Sequence, residues 1–437
     1  MENNTISLIF KGKEISGILL QEKEHEYVIK LSSGYQITAL KKNCTDIVIT
    51  KSKIESQPST PVKEKIEPAN TSSLPNIAIF HTGGTIASKV DYATGAVSSH
   101  FTPEELISQF EELNLKANLQ AFMIGNLMSE DLRFGHYNKI LKAIEEHAES
   151  YDGIIISHGT DTMHYSSAAL HYGLENLNIP ILLIGAQRSS DRASSDAFSN
   201  LEAGIEFITY NKKLKDQNLP SFNRVGICMH KTIDDNEFLI LDAINAKKMH
   251  SSRRDAFKQV NFNPVCSISS NFKISNIREE LFTQTPTLPL QIHTYDEALK
   301  IGFFTAHPHL HKEEIEVLKI YDGIIISGTG LGHIGLSEFD DISTKNLENY
   351  HAIKELASKI PVCVGVQSVY GKVNINVYSS GIRLLEAGVL GNFTSLTIET
   401  QFIKLAHLLS THKNTKITNE EWMQNLEGFD TQKLVDN

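Results

Sequence analysis

From residue 76 onward the apolar positions come in short unbroken runs, at 77–80, 153–157, 181–184 and 225–230. Between them lie stretches with apolar residues at helical spacing, at 103–112, 132–149 and 166–175. Short continuous runs read as strands buried on both faces, and their alternation with amphipathic segments predicts a mostly parallel sheet with helices on either side. A second α/β unit begins near Ala298 and repeats part of the first: Tyr151-Asp152-Gly153-Ile154-Ile155-Ile156-Ser157 recurs as Tyr321-Asp322-Gly323-Ile324-Ile325-Ile326-Ser327. Each copy leads into a glycine-containing loop and later into Ile-Pro before another apolar run, so two similar lobes are expected. The N-terminal piece has a different pattern. Five short β-like runs between residues 5 and 50, separated by turn-like or charged pieces, predict a small β-barrel. Residues 51–75 carry Pro58, Pro61, Pro68 and Pro75 among Ser, Thr, Lys and Glu, a composition that reads as a linker. The expected organisation is a β module over 1–50, a linker over 51–75, and α/β domains over 76–283 and 298–437.

Composition narrows the function classes. A formal net charge of −11 argues against one broad basic surface for nucleic acid. Residues 1–56 hold eight Lys against seven Asp and Glu, near +1, which by itself points to a structural or docking module rather than RNA binding. Cys44, Cys228, Cys266 and Cys363 are scattered without a C-x-x-C pair and read as buried thiols of a reducing compartment. His307, His309 and His311 form the one dense histidine group, with the surroundings of a solvated turn before a helix, and no metal is expected. The first residues lack the order of a signal peptide and no apolar run reaches the ~18 residues that span a bilayer, so a soluble cytoplasmic chain is expected.

The candidate chemistry sits where apolar runs end. Residues 76–85 run as a strand into His81-Thr82-Gly83-Gly84-Thr85. In an open α/β sheet ligands bind beyond the carboxyl ends of strands, and the glycines leave main-chain N–H groups accessible to a substrate. Thr82 is a candidate nucleophile with an oxyanion site beside it. The loop Ser157-His158-Gly159-Thr160-Asp161-Thr162 follows its own strand on the same edge, which lets Thr160 and Asp161 reach Thr82. Asp161 can hold an ammonium or orient a lysine; the plainer reading is a helix cap. The stretch 247–257, beginning Lys247-Lys248, supplies a lysine that would serve as proton acceptor if partly desolvated, against the ordinary reading of a solvated patch. Ser129 and Glu130, and the hydroxyl-rich stretch 185–197, could face a small polar substrate or could cap helices.

Taken together, Thr82-Gly83-Gly84-Thr85-Ile86-Ala87 and His158-Gly159-Thr160-Asp161-Thr162 resemble the paired motifs of the bacterial-type L-asparaginase family from about residue 76 onward. Residues 88–92, 185–196, 248–257, 328–333 and 367–371, with the extra N-terminal module, are similar to its branch of archaeal glutamyl-tRNA(Gln) amidotransferase D subunits. The resemblance implies an asparaginase-like, two-lobed α/β body. It makes Thr82 the nucleophile and Thr160, Asp161 and Lys248 a second catalytic set, Lys248 being preferred to Lys247 for its distance from Phe257. Tyr92 would close on substrate, and Ser129, Glu130 and Gly159 would hold it. Ala93 and Ala193 depart from the Arg and Pro often found in the family. The implied activity is release of ammonia from glutamine or asparagine for a partner, the amidotransferase E subunit, which uses ATP and Mg²⁺ to amidate Glu-tRNA(Gln). No cofactor is implied for this chain, and the implied assembly is a homodimer carrying two partner subunits. A free-standing asparaginase or glutaminase is the alternative. Which of Thr82 and Thr160 forms the covalent bond is left open by the sequence.

Overall fold

The computed structural model describes residues 3–10, 13–31, 36–52, 74–84, 88–90, 97–99, 111–188, 195–412 and 417–423. Thr85, Tyr92, most of the expected linker and nearly all of the helix expected at 103–112 lie outside the described residues.

The N-terminal module is a five-stranded antiparallel sheet of β1 (Asn3–Phe10), β2 (Lys13–Glu22), β3 (Glu26–Leu31), β4 (Gln36–Leu40) and β5 (Cys44–Ser52), in the order β4-β3-β2-β1-β5. Ile6, Leu8, Tyr27, Ile29 and Ala39 form its small core. Among the described residues no ladder joins β4 to β5.

The first α/β lobe is built on an eight-stranded sheet. Its parallel part comprises β6 (Asn76–Gly83), β7 (Asn118–Leu127), β8 (Gly153–Ser157), β9 (Ile181–Ile184) and β10 (Val225–His230), in the order β7-β6-β8-β9-β10. Antiparallel strands continue it beyond β10, beginning with β11 (Glu237–Asp242). The continuous apolar runs follow from burial on both faces. Alternate residues of β6 point in opposite directions: Ala78 and Phe80 join a core with α1 (Phe134–His147) and α2 (Met163–Gly173), whereas Ile77 and Ile79 pack with α3 (Ala197–Asp216). Helix α1 buries Tyr137, Ile140, Leu141 and Ile144 at helical spacing. The helix expected to run through 175 stops at Gly173, because Leu174 and Glu175 leave it to pair antiparallel with Gln291 and Ile292.

The second lobe holds a three-stranded parallel sheet of residues 301–305, 323–328 and 362–366. The repeated sequence performs the same task in both lobes. The carboxylate of Asp152 accepts the N–H of Asn76 at 2.8 Å, and that of Asp322 accepts the N–H of Lys300 at 2.8 Å, each fastening a strand to its parallel neighbour. Helix α4 (Ile398–Thr411) joins the lobes: Ile403 and Ala406 enter the first lobe's core while Leu405 and Leu408 pack in the second.

Candidate active site

Parallel pairing sets the site. His81 of β6 stands opposite Ser157 of β8, so the loops leaving both strands emerge side by side on the carboxyl edge of the sheet. Close approach of the loops demands glycine. Gly84 has φ +84°, and a Cβ there would stand 2.3 Å from the amide nitrogen of Gly159. A Cβ on Gly159 would in turn stand 2.8 Å from Cβ of Ser129. Three loops therefore touch through main chain at the floor of the site.

Above that floor lies a cavity of about 360 Å³, lined by Gly84, Met128, Ser129, Glu130, Gly159, Thr160, Asp161, Ala186, Gln187, Arg188, Lys248, Ser251 and Ser252. Lys248 comes from β12 (Ala246–Lys248), paired with β13 (Phe257–Gln259) so that Lys248 faces Phe257. The strand pleat sends the two adjacent lysines to opposite sides. Lys247 forms an ion pair with Glu399 of α4, and Lys248 turns to the cavity, where Nζ lies 2.9 Å from Oγ1 of Thr160 and 2.5 Å from Oδ1 of Asp161. The Lys248 side chain is only 9% exposed, so the solvated-patch reading does not hold for it. Asp161 does not cap α2: its carboxylate serves Lys248 instead, and Thr162 donates its hydroxyl proton to the carbonyl of Ser129 at 2.6 Å, tying two loops together.

Of the residues expected from the sequence, Thr160, Asp161, Lys248, Ser129, Glu130 and Gly159 meet around this cavity. Thr82 does not. It is buried, its Oγ1 donates to the carbonyl of Ser157 at 2.8 Å, and it is absent from the cavity lining. A hydroxyl fixed to a main-chain carbonyl at a strand end braces the loop. Gly84 does line the cavity, and the residue after it, Thr85, lies outside the described residues, as does Tyr92. Gln187, Arg188, Ser251 and Ser252 join the wall as well; the sequence marks the polar stretches that contain them but not these four individually. Asp196, at the start of α3, turns its buried carboxylate back to accept the N–H groups of Gln187 and Arg188, which explains the density of polar residues there better than capping does.

Beneath the loops the side chains are buried. His158 donates Nδ1–H to the carbonyl of Gly159 at 2.6 Å, and His81 bonds Oγ of Ser157 at 2.7 Å. Burial lowers the pKa values of His81, His158 and His164 to about 4, so all three are neutral at physiological pH. Among the described residues no group of three or more His, Cys, Asp and Glu is placed to hold a metal, and no helix is long and apolar enough to cross a membrane.

Comparison with known proteins agrees with this architecture. The family model described as Asparaginase, N-terminal matches residues 76–280, and that of the Glutaminase/Asparaginase C-terminal domain matches 300–422, which defines an asparaginase-type chain. The thermostable L-asparaginase from Thermococcus kodakarensis superposes with a TM-score of 0.67 over 81% of this chain and 98% of its own, at 23% identity, which establishes the shared fold. The glutamyl-tRNA(Gln) amidotransferase D subunit of Methanosphaera stadtmanae is 37% identical over 97% of this chain and 92% of its own length. Its counterpart from Pyrococcus abyssi is 36% identical over 92% and 86%. The chain belongs to the family of glutamyl-tRNA(Gln) amidotransferase D subunits within the asparaginase superfamily.

Proposed function

We propose that the chain is the glutaminase subunit of the tRNA-dependent amidotransferase that converts Glu-tRNA(Gln) to Gln-tRNA(Gln). The observation that carries its chemistry is the contact of Lys248 with both Thr160 and Asp161 in a cavity of amino-acid size. Glutamine would enter with its α-ammonium toward Glu130 and Asp161 and its α-carboxylate toward Arg188 and the Ser129 hydroxyl, leaving the side-chain amide over Thr160. A threonine hydroxyl attacks the amide carbon and gives its proton to Nζ of Lys248, which acts as the base. Main-chain N–H groups of the glycine loops receive the developing oxyanion. The C–N bond then breaks as Lys248 returns that proton to the departing NH₂, ammonia leaves, and water resolves the acyl-enzyme to glutamate. Among the described residues Thr160 is the hydroxyl that Lys248 can serve directly.

Ammonia passes to the E subunit as partner, which supplies the ATP and Mg²⁺ chemistry on the tRNA-borne glutamate. This chain contributes the amide hydrolysis, the cytoplasmic assembly being a homodimer with two partner subunits. The reading is supported by the similarity of nearly the whole chain, N-terminal module included, to the D subunits of such amidotransferases. A free-standing asparaginase or glutaminase is the second reading, favoured by the fold it shares with L-asparaginases.

Ammonia release from glutamine and asparagine is to be measured with the chain alone, then with the partner E subunit and charged Glu-tRNA(Gln). Stimulation in the complete mixture is expected, and full activity alone, unchanged by either addition, would favour the second reading. Trapping with an electrophilic glutamine analogue and mapping the adduct identifies the nucleophile. An adduct on Thr160 supports the assignment, one on Thr85 makes Lys248 and Thr160 the acceptors of its proton, and one on Thr82 overturns the placement described above.

A further inference from the structure

Behind the cavity wall runs a chain of polar contacts that the proposed chemistry does not use. Asn200, one turn along α3 from Asp196, donates Nδ2–H to the carbonyl of Gly185 at 3.0 Å. That bond fixes the orientation of the amide, so Oδ1 of Asn200 is the acceptor that faces Nδ1 of His230 at 2.7 Å. On its other side, Nε2 of His230 lies 2.8 Å from Oδ1 of Asp235, which also accepts Nη1 of Arg254 at 3.0 Å. Arg254 belongs to the segment after β12 whose Ser251 and Ser252 line the cavity, and Gly185 begins the loop whose Gln187 and Arg188 line it too. His230 itself is the last residue of β10 and is fully buried.

Both ring nitrogens of His230 thus face acceptors. A neutral imidazole has a single N–H and can satisfy one of them, while the imidazolium satisfies both. We propose that His230 is a positioning residue that couples two walls of the cavity, tying the 185–188 wall through Asn200 to the 251–254 wall through Asp235 and Arg254. The kinetic test rests on the glutaminase reading of that cavity.

The charged groups facing the ring are Asp235 from the turn after β10, Asp196 from the start of α3 and Arg254 from the segment after β12, while the Phe238 ring of β11 covers it at 4.7 Å between centroids. Burial pushes the His230 pKa below its ordinary value, the hydrogen bond of Asp235 and the charges of Asp196 and Asp235 pull it back upward, and Arg254 opposes them. The two-sided clamp therefore tightens as pH falls and the ring gains its second proton.

Glutamine hydrolysis by the full chain with its partner subunit tests this with His230→Phe and Asp235→Ala, the latter removing a carboxylate that is 61% exposed and not needed for the core. KM for glutamine is expected to rise about tenfold in each variant with kcat within about threefold, and the double variant to show no further rise. In the wild type KM should fall as pH drops below about 6.5, the ordinary histidine value, a trend both variants lose. An unchanged KM in Asp235→Ala, or effects that simply add in the double variant, overturn the proposal. Should the wild type release no ammonia from any amide, it is the glutaminase reading that falls. The clamp is then still read from ¹⁵N spectra of labelled histidine, assigned with His230→Phe. Two protonated ring nitrogens are expected at the acid end of the folded range, and a ring that stays singly protonated throughout that range overturns it.

Discussion

Lys248 Nζ stands 2.9 Å from Oγ1 of Thr160, although 88 residues separate them along the chain. A short β-hairpin delivers the amine and a loop beyond a parallel strand delivers the hydroxyl, so neither depends on the other for its placement. Residues acting as one relay lose activity together rather than additively. Lys248→Met and Thr160→Ala are each expected to lower kcat/KM for glutamine about a thousandfold, and the double variant to lose little more. Steady-state ammonia release provides the measurement, and a double variant far weaker than either single one would show that the two groups act independently.

Thr82 offers a contrasting case. Its hydroxyl donates to the carbonyl of Ser157 beneath the glycine loops, so replacement by the near-isosteric valine removes one buried hydrogen bond. Thr82→Val should cost about 1–2 kcal/mol of stability in denaturant unfolding while glutamine hydrolysis stays within about tenfold of the wild type. Activity abolished at unchanged stability would return Thr82 to the role of nucleophile.

How far the sequence discloses the site depends on what each residue's signal is. The strands at 153–157, 181–184 and 225–230 are legible to the residue because burial on both faces leaves an apolar run with no other explanation. The meeting of Thr160 and Asp161 with the first glycine loop follows from parallel strands sharing an edge. Lys248 is harder to see. Beside Lys247 it reads as a solvated pair, and only the pleat of β12, invisible in composition, sends one lysine to Glu399 and the other to the cavity. Thr82 shows a related dependence: a hydroxyl before two glycines has the chemistry of a nucleophile, but which way it turns is decided by its neighbour across the sheet. Gln187 and Arg188 are placed by Asp196, whose local signal is that of a helix cap, so their role depends on a tertiary contact.

The close approach of Gly84 to Gly159 gives a third expectation. Alanine at 84 would have to occupy φ +84°, a region that side chains rarely adopt, and its methyl would overlap the Gly159 amide at 2.3 Å. Moving that peptide displaces Thr160, the next residue. Gly84→Ala is expected to lose roughly 1–3 kcal/mol of stability and more than about tenfold in kcat. Thermal unfolding and kinetics on the same preparation check it; normal kinetics in a stably folded variant would mean that the two loops do not constrain each other.

Acid should loosen the same region. His81, His158 and His164 have folded-state pKa values lowered to about 4 by burial, against an ordinary value of 6.5. Between those limits the unfolded chain binds more protons than the folded one, so stability rises with pH there. It is fully present above about pH 6.5 and is lost as pH falls toward about 4, each ring contributing roughly 1–3 kcal/mol to the loss. His164 is the ring to remove, since its Nδ1 has no hydrogen-bond partner and it already packs against the Phe257 ring at 6.4 Å between centroids. His164→Phe should therefore fold, and its unfolding free energy, measured in urea from about pH 7 to about pH 4, should decline with a slope smaller by about one proton. An identical slope in the variant would mean that His164 is protonated in the native protein across that range, which its burial among apolar groups opposes.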